Sequence, residues 1–70
     1  MYTVEQIRAA AQVLFDIYNS GDLSAAGLFR RLHYPLWLCA GGFVKTGDDA
    51  YINLANDISG LIKDIRKDVL

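Results

Sequence analysis

The sequence contains one cysteine and one proline among its 70 residues. A single cysteine cannot form an internal disulfide, so no covalent cross-link compensates for the small core of so short a chain. Cys39 and the single histidine, His33, are also too few to form a structural zinc site. A disulfide-stapled or zinc-dependent domain is therefore excluded, and packing alone must hold the fold together.

The sequence also lacks an apolar run long enough to span a bilayer. Its longest nearly apolar segment, residues 34–44, is much shorter than the roughly 20 residues that a membrane helix requires. The N-terminus has no basic stretch followed by an apolar core, which a secretory signal would have. We therefore expect no membrane span and no membrane partner, and we expect a cytoplasmic location.

Acidic residues are absent from residues 23–45, which carry Arg30, Arg31 and Lys45 and so a formal charge of +3. Residues 1–22 and 46–70 each carry −2, which gives the net charge of −1. A basic segment between two acidic ones favours a local anion or an acidic partner. Nucleic acid is not an expected partner, because domains that bind it are usually basic overall.

Apolar side chains, by contrast, are abundant and make up 53% of the residues. A domain of this size buries only about 60% of the surface that its unfolded chain exposes. A monomer of 70 residues without disulfides or metal would leave much of this apolar surface in water. The composition therefore predicts self-association into a dimer or a higher homo-oligomer.

The clearest pattern in the chain is an apolar stripe at spacings of three and four within residues 48–69. This period is typical of one face of an amphipathic helix. We predict that this long C-terminal helix organises the fold and forms the oligomer interface. The predicted interface residues are Tyr51, Leu54, Ile58, Leu61 and Ile65. Gly60 lies inside this helix, either as a point of close backbone approach or as a tolerated surface glycine.

Two further helices are predicted in the first half of the chain, at about 3–19 and 22–33. The segment Thr3-Val4-Glu5-Gln6 matches a capping box, in which the first and fourth residues bond each other's backbone N–H groups. The first helix then ends at Gly21, and Asp22 or Ser24 begins the second. Pro35 disfavours helical geometry at Tyr34, so the second helix is expected to end there.

Residues 35–47 are ambiguous between a helical or irregular segment and a hairpin. Pro35 suits the first position of a new helix over 35–44. Alternatively, Gly41-Gly42 could join two short strands in a hairpin at 36–46. The sequence thus predicts an all-α fold of three or four helices, assembled as a helical oligomer, in one domain covering residues 1–70. The alternative is an α+β fold with a short hairpin.

The middle of the chain holds the candidate binding residues Arg30, Arg31, His33, Trp37 and Lys45. The cations could form a solvated face, or they could meet an anion or an acidic partner, because guanidinium groups bind carboxylate and phosphate well. Trp37 could belong to the core or anchor an interface, since Trp, Tyr and Arg dominate binding hot spots. Cys39, in an apolar setting, is interpreted as a buried and unreactive thiol.

No nucleophile, base and orienting group occur together in a recognisable pattern, and no catalytic residue or cofactor is expected. The sequence therefore predicts a small non-enzymatic protein-binding module. It would act as an adaptor or inhibitor, of the compact kind common among phage and mobile-element products. The alternative is an oligomer that binds an anionic small molecule, such as a nucleotide, through Arg30, Arg31 and Lys45.

Overall fold

The computed structural model describes the backbone of residues 1–69 and the side chains of residues 1–66. Three helices account for most of the chain: α1 (Val4–Asn19), α2 (Ala25–Thr46) and α3 (Asp49–Val69). No strand occurs within residues 1–69. The all-α prediction is confirmed with three helices, and the alternative hairpin at 36–46 is wrong.

Helix α1 begins at the predicted capping box. The Gln6 N–H donates to the Thr3 hydroxyl at 3.1 Å, and the Thr3 N–H donates to the Gln6 side-chain oxygen at 2.9 Å. Two backbone donors that the first turn would leave without partners are therefore satisfied. The helix ends before Gly21, whose φ of 89° is in the left-handed region that glycine adopts readily.

Helix α2 begins at Ser24, whose hydroxyl accepts the Gly27 N–H at 3.0 Å, and it continues without interruption through Pro35. The predicted break at Pro35 and the division into helices 22–33 and 35–44 are therefore wrong. A proline inside a helix costs about 3 kcal/mol because it removes a hydrogen bond and crowds the preceding turn. Here the same buried face continues on both sides of it, through Leu28, Leu32, Pro35, Cys39 and Gly42. Full burial of each leucine contributes about 1.5–3 kcal/mol, which is enough to offset that cost.

A two-residue connection reverses the chain between α2 and α3. The Gly47 N–H donates to the Phe43 carbonyl at 2.7 Å, and its φ of 70° turns the backbone out of the helix. The Asp48 carboxylate then accepts the Ala50 N–H at 2.9 Å and so caps the start of α3. Because the connection is so short, α3 runs back antiparallel along α2.

Helix α2 lies at the centre of the bundle. It packs most extensively against α3 and less extensively against α1, whereas α1 and α3 make few contacts with each other. All three helices contribute to one core, which within residues 1–66 consists of Ile7, Ala11, Leu28, Leu32, Cys39, Tyr51, Leu54, Ile58 and Ile65. One side of α1 and α2 is therefore left without a helical neighbour.

Candidate functional site

Most of the large exposed apolar side chains belong to the two helices that border this uncovered side. Of the nine large hydrophobic side chains exposed within residues 1–66, two lie on α3, and the other seven lie on α1, on α2 or just before α1. These seven are Met1, Tyr2, Val13, Ile17, Tyr34, Trp37 and Val44. Trp37 has the largest side chain of the set and is 78% exposed.

The helical period of α2 explains this exposure. Its core residues recur at spacings of four and three, from Leu28 to Gly42, and face α1 and α3. Tyr34, Trp37 and Lys45 follow the same period on the opposite side, where no helix covers them. The expectation that Trp37 could belong to the core is therefore wrong for the single chain.

Three connected grooves surround these aromatic side chains. The first lies between α1 and α2, has a volume of about 460 Å³ and includes Ala10, Leu14, Arg31 and Pro35 in its lining. The second and third, of about 540 and 400 Å³, lie on either side of Trp37. Tyr2, Tyr34, Trp37 and Leu38 each line two of the three, so the grooves form one continuous surface.

We call this surface the α1/α2 face. It is lined by Tyr2, Ala10, Tyr34, Trp37 and Leu38, and Val13 and Ile17 are exposed on the same helix as Ala10. Basic side chains lie along it: Arg31 lines the first groove, His33 the second and Lys45 the third, and Arg30 is exposed next to Arg31. No carboxylate lines any of the three grooves. The face is therefore apolar and aromatic, with positive charge towards both ends.

The cations do not converge on a single point. Arg31 and Lys45 are separated by 14 residues of one continuous helix, which corresponds to about 21 Å. Gly41 and Gly42 also lie within α2, where backbone N–H groups point along the helix and do not form an anion-binding turn. The anion-binding hypothesis required the cations and the glycine pair to surround one ligand. That geometry is not present.

His33 has local partners instead. Its Nδ1–H donates to the Phe29 carbonyl at 2.9 Å, one helical turn earlier. Its ring packs edge-on against the Phe29 ring, with 5.0 Å between the centroids. The imidazole is thus held by its own helix at the edge of the second groove, with Nε2 free of this bond.

The residues predicted to form the oligomer interface lie mostly inside the single chain. Tyr51, Leu54, Ile58 and Ile65 are all buried in the core, where α3 packs against α2. Only Leu61 of the predicted set is exposed, at 41%. Self-association stays a prediction, but in the folded chain these four buried side chains are already covered. A contact between copies of the folded chain would therefore have to use side chains other than these four.

Cys39 is fully buried within the core on α2. Burial removes water from around the thiol and so raises its pKa above the ordinary value. The neutral thiol is a poor nucleophile, which agrees with its interpretation as an unreactive core residue. Within the part of the chain that the structure describes, no three His, Cys, Asp or Glu side chains cluster in a way that could hold a metal ion.

Sequence reasoning missed the contribution of α1 to this face. Tyr2, just before α1, and Ala10, Val13 and Ile17, on α1, were not among the predicted site residues. The available signal was the width of the apolar stripe on α1, where Ala10, Val13 and Ile17 extend it beyond Ile7 and Ala11. A stripe that wide exceeds what one neighbouring helix can cover.

No known protein family, curated protein or solved structure matches this chain. None of the helices in the described part of the chain is both long enough and apolar enough to cross a membrane. The fold and the α1/α2 face are therefore the only basis for inferring its function.

Proposed function

We propose that this protein is a non-enzymatic protein-binding module whose contact surface is the α1/α2 face. The observation that carries the proposal is the exposure of Trp37, at 78%, between two grooves on a helix without acidic residues. Exposed apolar patches on small proteins commonly mark interaction sites. Trp, Tyr and Arg are the residues that contribute most to protein interfaces, and all three occur on or beside this face.

The shape of the face supports a protein ligand over a small molecule. Sites for small molecules are usually concave pockets that enclose most of the ligand. The three grooves here are open and run side by side along α1 and α2. An amphipathic helix laid along two other helices inserts a row of apolar side chains into grooves of this kind. The cations would then contact acidic side chains at the edges of that helix.

A module of this type acts by occupying its partner's surface and needs no chemistry of its own. This would suit the adaptor or inhibitor role that the sequence predicts. Trp37 and Tyr34 would supply most of the binding free energy, because large aromatic side chains at the centre of an interface are typical hot spots. Arg30, Arg31 and Lys45 would mainly accelerate association and select acidic partners.

The proposal is tested by affinity capture with an immobilised wild-type chain and two variants. Trp37→Ala removes the exposed anchor, whereas Leu61→Ala removes a partly exposed apolar side chain on α3, away from the face. We expect a protein retained by the wild type and by Leu61→Ala to be lost with Trp37→Ala. Circular dichroism would verify that both variants are folded. Capture that is equal for all three baits, or lost only with Leu61→Ala, would contradict the proposal.

A further inference from the structure

We infer that the α1/α2 face pairs with the same face of a second copy, so that α1 of each chain lies over α2 of the other. This inference rests on the proposed function, because it names the first protein that the face would bind. The first observation is a difference in charge between the two helices. On helix α1, Glu5 and Arg8 pair with each other at 3.4 Å, so Asp16 makes the helix net acidic, whereas α2 carries three cations and no acid.

The two-fold axis of such a dimer lies in the plane of contact, and if the helices of the two copies are aligned it is either perpendicular or parallel to them. An axis perpendicular to the helices would place α2 on α2 and bring the cations of both copies together. An axis parallel to the helices places α1 of one copy over α2 of the other. Only the parallel axis matches acidic residues with basic ones, so the charge pattern selects it.

The register of the two helices gives this arrangement a specific contact. Leu14 and Arg31 line the same groove, and Tyr2 and Lys45 line another, so α1 and α2 run antiparallel. A two-fold axis parallel to the helices does not shift residues along the helix direction. Each residue therefore lies at the same position along that direction in both copies. Asp16 of one copy therefore lies within about one helical turn, roughly 5 Å, of Arg30 and Arg31 of the other along the axis direction. Asp16 and both arginines are exposed in the single chain.

The same register places large side chains opposite small ones. Ile7 lines a groove together with Pro35 and Leu38, so Trp37 lies near the height of residues 6–10. In the pair, Trp37 would face the exposed Ala9 and Ala10 of the second copy, where no bulky side chain obstructs its ring. Alternation of large and small side chains is what close packing between helices requires.

The opposite side of the molecule does not offer an equivalent surface. The exposed residues of α3 are mainly polar and include Asn53, Asn56 and Asp57. Within residues 49–66, only Ile52 and Leu61 are large hydrophobic side chains exposed on that helix. The contact between copies that the composition predicts is therefore assigned to α1 and α2.

Sedimentation velocity over a range of micromolar concentrations tests this assignment through charge reversal. The wild type should sediment as a dimer at the upper concentrations. Asp16→Arg alone and Arg31→Glu alone should each weaken dimerisation by at least about tenfold, because the symmetric contact occurs twice. The double variant, which exchanges the two charges, should recover most of the lost affinity. Asp57→Lys, on the exposed side of α3, is the matched control and should leave the dimer unchanged.

Circular dichroism would establish that each variant is helical, and all three substituted positions are exposed, so charge reversal there leaves the core intact. A wild type that remains monomeric at every concentration would overturn the inference. A dimer that is insensitive to both Asp16→Arg and Arg31→Glu would overturn it as well, whether or not Asp57→Lys weakens that dimer. A monomer that still captures a partner through Trp37 would refute the dimer and leave the proposed function standing. A charge-sensitive dimer that captures nothing through Trp37 would support the dimer and contradict an adaptor or inhibitor role.

Discussion

The ring of Tyr51 lies directly against the backbone of Gly42. Gly42 is buried, and a methyl group built at its Cα would come within 2.8 Å of the Tyr51 Cζ, closer than real contacts allow. The Tyr51 hydroxyl then donates to the Tyr2 carbonyl at 2.9 Å, just before α1. The Tyr51 side chain of α3 thus packs on α2 at Gly42 and bonds to the segment just before α1. This single side chain therefore connects α3 with α2 and with the start of α1.

Gly42→Ala should therefore destabilise the fold. The added methyl group must displace the Tyr51 ring, and overpacking of this kind typically costs about 1–3 kcal/mol. This exceeds the gain of about 0.5–1 kcal/mol expected from replacing a glycine in the interior of a helix with alanine. Urea denaturation followed by circular dichroism would measure the net loss.

The neighbouring glycine provides the control. A methyl group at Gly41 meets no atom within 4 Å. Gly41→Ala should therefore stabilise the chain by about 0.5–1 kcal/mol, through helix propensity alone. Equal effects of the two substitutions would show that the contact between Gly42 and Tyr51 does not constrain packing in solution.

Tyr51→Phe isolates the hydrogen bond from the ring contact. The variant keeps the ring on Gly42 but leaves the Tyr2 carbonyl without its donor, which should cost about 0.5–1.5 kcal/mol in the free energy of unfolding. Tyr18→Phe is the matched control, since the Tyr18 hydroxyl makes no hydrogen bond to any residue that the structure describes. An equally large loss for Tyr18→Phe would mean that the Tyr51 hydroxyl has no special role.

The parts of the fold that follow from local signals could be predicted from the sequence. Helix α1 begins where Thr3 and Gln6 form a capping box, and this motif needs only neighbouring residues. Helix α2 could not be predicted in full, because the local preference of Pro35 opposes it. The helix continues because Leu32 and Cys39 are buried against other helices, and such contacts are not visible in a local pattern.

The same distinction applies to the site. Helical periodicity predicts which residues share a face, but it does not predict which face another helix covers. The stripe on α3 and the aromatic side of α2 were both plausible contact surfaces. The fold buries Ile58 in the single chain and leaves Trp37 in water. Which of the two faces is buried depends on how α2 and α3 pack. The sequence could therefore identify Trp37 as a candidate contact residue, but it could not show that Trp37 is exposed.

Two substitutions on α3 separate folding from assembly. Ile58 is 2% exposed, so Ile58→Asp places a carboxylate in the core and should unfold the chain. Leu61 is 41% exposed, so Leu61→Asp should leave the chain folded and leave any dimer intact. Circular dichroism and sedimentation velocity would measure the two properties. If Leu61→Asp dissociated a dimer of folded chains, the interface would lie on α3, as the sequence predicted.

The buried thiol of Cys39 predicts a dependence of stability on pH. Burial raises its pKa, so the folded chain holds the proton more tightly than the unfolded chain does. Its contribution to stability is therefore complete below the unfolded pKa of about 8.5 and declines as the pH rises above it. Cys39→Ala should be less stable at neutral pH because it leaves a small cavity, and it should lack this alkaline decline. A wild-type stability that follows the same pH profile as Cys39→Ala would contradict the assignment.

Trp37 is the only tryptophan in the chain, so its fluorescence reports directly on the α1/α2 face. In a dilute monomer the indole is in water, and its emission should be red-shifted and should change little on denaturation. As the concentration rises and the face becomes covered, the emission should move to the blue and quenching by acrylamide should decrease. Arg31→Glu, which weakens the inferred contact, should shift this transition to higher concentration, whereas Asp57→Lys should not.

A blue-shifted emission that is independent of concentration down to the dilute limit would mean that Trp37 is covered within the single chain. The exposed face on which both proposals depend would then not exist in solution.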